Sequence, residues 1–129
     1  MKRQIKLGAA ILMMQVWGVA GACAGPWEDG MAAYSRGDYV PALQVFRAMA
    51  REGNMEAQRL LGQMYRRGQG VKRSSTRAYL WFNRAAAKGD VRADAELRQM
   101  SQSMTEAELS RARALMQACE ASNYRDCEY

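Results

Sequence analysis

The chain has 129 residues, 49% of them hydrophobic and 25% charged, with three cysteines, no histidine and a formal net charge of +6. That length supports one domain with a modest core. The lack of histidine removes the commonest general base and metal ligand, and three scattered cysteines are too few for a zinc site, so neither a metal nor another cofactor is implied.

The N-terminus reads as a separate object. Lys2, Arg3 and Lys6 form a basic start, residues 7–20 are uncharged and mostly apolar, and Ala22, Cys23 and Ala24 supply a small-x-small cleavage pattern before Gly25. Residues 1–24 are therefore expected to be a secretory signal, and residues 25–129 a single exported domain, periplasmic or secreted. A spanning helix needs roughly 20 apolar residues, so an uncleaved membrane anchor is the lesser alternative. A lipoprotein signal through Cys23 is the other, although Ala20 stands where such signals carry Leu. Either processing event leaves Cys119 and Cys127 as an even pair. In an oxidising compartment that pair reads as one disulfide, two free thiols being the alternative.

Six helices are predicted along the remaining chain. The first enters through Pro26 and Trp27, runs through Tyr34 and ends at Gly37. Asp38 starts the second, with Pro41 tolerated in its first turn, and Gly53 stops it after Glu52. Asn54 caps the third, which carries Ala57, Leu61, Met64 and Tyr65 inward and ends at Gly68. Gln69, Gly70 and Val71 lengthen the next connection before Ser74 caps the fourth, whose Ala78, Trp81, Phe82, Ala85 and Ala86 face neighbouring helices. Asp90 caps a fifth helix to about Gln102. A Thr105 and Glu108 capping box opens the sixth, which reaches about Ala121.

Residues 42–64 recur 36 positions later at 78–100: Ala42, Phe46, Ala50, Gly53, Ala57, Leu61, Gln63 and Met64 return as Ala78, Phe82, Ala86, Gly89, Ala93, Leu97, Gln99 and Met100. Small and large apolar residues at helical spacing, punctuated by Gly, describe a pair of short packed helices repeated along an all-α solenoid of about three pairs. The last pair has the character of a polar terminal cap over residues 90–121, with Asp94, Glu96, Arg98, Arg111 and Arg113 directed outward. Within residues 54–89, the ordered set Ala57, Leu61, Gly62, Met64, Tyr65, Gly68, Gly70, Val71, Ala78, Trp81, Phe82, Ala85, Ala86 and Gly89 resembles the signature of the Sel-1-like repeat, a relative of the tetratricopeptide repeat. Ser74 stands where that family commonly has Asp, and it can fill the same capping role. The resemblance implies a stack of antiparallel helix pairs and scaffold or adaptor work in protein complexes, often in exported bacterial proteins. Some cysteine-rich exported members also bridge cysteines separated by seven residues, as here, but within repeats and not in a terminal cap.

Charge is the sequence's strongest lead toward a partner. Between Glu56 and Asp90 there is no acidic residue, while Arg59, Arg66, Arg67, Lys72, Arg73, Arg77, Arg84 and Lys88 are all basic. Such clustering attracts an acidic protein face, an anionic glycan or lipid headgroups, although a merely solvated face carries the same composition. Nucleic acid is disfavoured, because the chain reads as exported and has no nucleic-acid motif. The expected binding residues are Arg59, Gln63, Arg66 and Arg67, exposed on the third helix along the concave side, with Lys72 and Arg73 on the extended turn. The main expectation is an interaction module of the bacterial envelope, with a secreted factor that engages a host or competitor molecule as the alternative. Catalysis is not expected. β-Lactam chemistry has been ascribed to some cysteine-rich relatives, but the Ser-x-x-Lys arrangement is absent. The carboxylates Glu28, Asp29, Glu106 and Glu108 sit at helix starts, where the helix dipole accounts for them.

Overall fold

In a computed structural model, which describes residues 24–124 and residue 127, short polar side chains start four helices at the positions the sequence marks. The Asn54 side chain accepts from the Ala57 N–H at 2.8 Å, Ser74 from Arg77 and Asp90 from both Arg92 and Ala93. Thr105 and Glu108 complete a reciprocal capping box. The resulting elements are α1 Pro26–Arg36, α2 Tyr39–Arg51, α3 Met55–Arg67, α4 Ser75–Ala87, α5 Val91–Ser103 and α6 Glu106–Ala121. There is no strand among the described residues, and none of their helices is long and apolar enough to cross a membrane. All of the expected signal segment except Ala24 lies outside the described residues, as does Cys23.

Two local details differ from the sequence reading. α1 continues past Tyr34 to Arg36, and Asp38 precedes α2 without capping it. The Asp38 carboxylate instead takes the Arg36 Nε at 3.2 Å, a local ion pair that competes with the backbone for the same oxygen.

The helices pack consecutively from α1 to α5, and α6 turns back onto α4. α4 therefore lies at the centre, against α3, α5 and α6. The size alternation read from the repeat accounts for this packing. Ala42, Ala50, Ala57, Ala78, Ala85 and Ala93 are wholly buried and let the axes approach, while Phe46, Leu61, Trp81 and Phe82 fill the space between them. α3 and α4 approach closely at Gly62, where a Cβ would stand 2.8 Å from the Phe82 ring. In the first pair, Trp27 and Tyr34 of α1 close over Phe46 with ring centroids 5.6 and 6.2 Å away.

The C-terminal residues fold back onto this body. The Cys119 and Cys127 sulfurs stand at disulfide distance, with Cα atoms 4.5 Å apart. Both side chains belong to the core cluster. Asn123 and Tyr124, both at positive φ, make the reversal.

Candidate functional site

The extended turn between α3 and α4 is held from three directions. The Ser74 N–H donates to the Tyr65 carbonyl and the Gln69 N–H to the Met64 carbonyl, each at 2.9 Å. Tyr34 of α1 donates its hydroxyl to Gln69 Oε1 at 3.1 Å. Gly70, at φ +70°, lies so close to the Tyr39 backbone that a Cβ would come within 2.7 Å of it. Only glycine meets both demands, the left-handed conformation and the close approach. The turn is thereby fixed against the first helix pair, and it presents Lys72 and Arg73 to solvent.

The five expected binding cations divide into three groups, and Gln63 is half-buried beside them. Arg59 is not exposed as the sequence reading had it: it is only 8% accessible, with its Nε 3.0 Å from Asp90 Oδ2 and an Nη 3.2 Å from Glu56. Helical spacing places Arg59 on the flank of α3 that meets the start of α5, so its charge holds two helices together and is withdrawn from any partner. Arg66 is half-buried and pairs with Glu96 of α5. Glu96 was expected to point outward, but it serves as the counterion of an expected binding residue. Arg67, Lys72 and Arg73 are exposed and make no ion pair among the described residues.

Gln63, Arg66, Arg67, Arg73 and Glu96 line one depression of about 460 Å³. It is built from α3, α5 and the extended turn, on the side formed by the first helices of successive pairs. The arrangement can receive an anionic group: Arg67 and Arg73 offer planar guanidinium donors that no ion pair engages among the described residues, and Gln63 offers a neutral amide. Glu96 limits the excess positive charge. Lys72 stands outside the lining and adds field without a direct wall contact.

The rest of the basic run is engaged elsewhere. Arg77 lies over the Tyr65 ring at 5.9 Å, and Lys88 donates to the Gly53 carbonyl. Arg84, expected only as part of the basic run, lies over both Trp81 and Tyr124, its guanidinium carbon 5.0 and 4.1 Å from the two ring centroids. Burial lowers its pKa, partly opposed by Tyr124 and Glu120. Counting charges along the chain could not separate these engaged cations from Arg67 and Arg73. Among the described residues no group of three or more His, Cys, Asp or Glu side chains comes together.

Consecutive short helices spaced by alanine, with a polar depression between the first helices of adjacent pairs, define an all-α helical-repeat fold. More specifically, residues 56–90 match the family model of the Sel1 repeat, so this segment of the chain carries a Sel1 repeat. Sel1 repeats generally mediate protein–protein interaction, and the family is typically non-enzymatic. No curated protein matches the chain.

Proposed function

We propose that the protein is an exported adaptor that holds another protein by an acidic face against the depression between α3, α5 and the extended turn. The observation that carries this reading is that Arg67 and Arg73 line the same depression without a counterion among the described residues. A solvated charge needs no such convergence. The fixed seat of the turn on Tyr34 and Tyr39 adds preorganisation, which lowers the ordering cost of binding. Arg59 takes no direct part, and Arg66 takes part only to the extent that a partner competes with Glu96.

Export is the cellular half of the reading. The basic start, the short apolar stretch and the small residues before Gly25 are those of a signal segment. A Cys119–Cys127 disulfide fits an oxidising compartment. Intact mass of the purified native protein tests this half, with removal of residues 1–24 and loss of two protons at the cysteine pair as the expected result.

The binding half is tested by crosslinking in the envelope fraction, comparing wild type with an Arg67→Glu, Lys72→Glu, Arg73→Glu variant. A protein captured by wild type and lost with the variant, more completely at low salt, is the expected outcome. Capture that ignores charge reversal sinks the proposal. Binding of the pure protein to an anionic glycan or to anionic vesicles, with no protein captured, replaces the acidic protein by a different partner.

A further inference from the structure

A second cavity lies away from the basic depression, in the groove over α4 between the end of α2 and the face of α6. It encloses about 420 Å³, within the range of small-molecule sites, which starts at roughly 300 Å³. Leu80, Ala87, Met116 and Cys119 supply its apolar wall, and Tyr124 closes one end. Arg84 on α4 and Lys88 at its C-terminal cap, four residues apart, place two cations along the same wall.

Neither cation is neutralised by an ion pair among the described residues. Lys88 donates to the neutral Gly53 carbonyl. Among the described residues the Arg84 guanidinium, which carries five N–H donors, makes one weak hydrogen-bond contact, 3.8 Å from Nη1 to the Cys127 sulfur, while the Trp81 and Tyr124 rings lie over it. Aromatic faces stabilise a cation without satisfying its in-plane donors. A half-buried guanidinium with open donors beside an apolar wall is therefore short of a hydrogen-bonding anion. Glu52 and Glu120 also line the cavity, and their charge disfavours a polyanion while leaving room for a single negative group.

We propose that this cavity is a binding site for a small organic monoanion with an apolar body, its acid group hydrogen-bonded to Arg84 beside Lys88 and its body packed on Ala87 and Met116. The site is independent of the adaptor depression, since the two share no lining residue.

The test uses 3-phenylpropionate as probe, with neutral 3-phenylpropanol as control, titrated into the folded protein and followed by NMR at the Met116 methyl, the Asn83 side-chain amide and Arg84 Nε. Saturable shifts confined to the cavity are expected for the acid. Arg84→Gln weakens binding by about tenfold or more, the effect of losing one charge-assisted hydrogen bond. Ala87→Trp supplies a second variant that does not disturb the buried core, because Ala87 is exposed at the cavity edge, and it abolishes binding by filling the space. Absence of saturable shifts in folded wild type, equal binding of the alcohol, or unchanged affinity in the Ala87→Trp variant overturns the proposal.

Discussion

Arg59 of α3 donates its Nε to Asp90 Oδ2 at 3.0 Å, with both side chains less than a tenth exposed. Asp90 also caps α5 through Oδ1, so one carboxylate joins the first helix of one pair to the start of the next pair. Arg59 and Asp90 stand near the two ends of the Sel1 segment, whose match runs from residue 56 to residue 90.

Breaking this pair from the cationic side is expected to be costly. Arg59→Ala leaves the Asp90 carboxylate buried with only its backbone donors, and removal of one partner of a buried ion pair costs about 3 kcal/mol or more. Asp90→Asn keeps an oxygen for the cap and removes the charge, so it is expected to cost less. Urea denaturation of the two variants checks the order. Equal losses mean that the stranded Asp90 carboxylate adds no penalty beyond loss of the pair itself.

The repeat's size alternation predicts a second sensitive point. Gly62→Ala drives a Cβ into Phe82, which is wholly buried and has no free side to move toward. Overpacking of this kind costs about 1 to 3 kcal/mol. Thermal unfolding of the variant gives the measurement, and a midpoint equal to wild type contradicts the helix approach described here.

Most of the fold was legible because helix starts and small-residue spacing are local signals. Asn54, Ser74, Asp90 and Thr105 mark helix starts by side-chain chemistry within three residues of themselves, and the alanines mark close axes by size alone. The candidate site was only half legible. Arg59 and Arg67 look alike in sequence, yet one turns toward Asp90 and the other toward solvent. The counterions Asp90 and Glu96 lie outside the basic run and approach it only through the packing of α5. Asp38 erred in the opposite direction: a residue type suited to capping pairs with Arg36 instead.

Glu96 is expected to restrain the depression. Glu96→Gln frees the Arg66 guanidinium without changing side-chain size, and it raises affinity for an acidic partner by several-fold, about 1 kcal/mol, as one exposed ion pair is exchanged for another. The same variant loses little stability, because the pair is only partly buried. Titration of the crosslinked partner at two salt concentrations checks both the gain and its screening. Unchanged affinity in the variant means that Arg66 stays out of the interface.

The C-terminal return offers the last prediction. Cys119 and Cys127 close a short loop, eight residues apart in sequence, and a bridge over so short a loop stabilises by about 2 kcal/mol on the chain-entropy scale. Its structural reach is longer than its loop. The Tyr124 N–H donates to the Cys119 carbonyl at 2.8 Å, and its ring covers Arg84, which in turn lies over the buried Trp81. Cys127→Ser is therefore expected to lower the unfolding midpoint and to change the near-UV signal of Trp81, while Arg67 and Arg73 keep their positions on the far side of α4. A Cys127→Ser protein that melts lower but still captures its partner separates the role of the tail from that of the basic depression. Loss of capture with an unchanged midpoint assigns the tail to the interface instead.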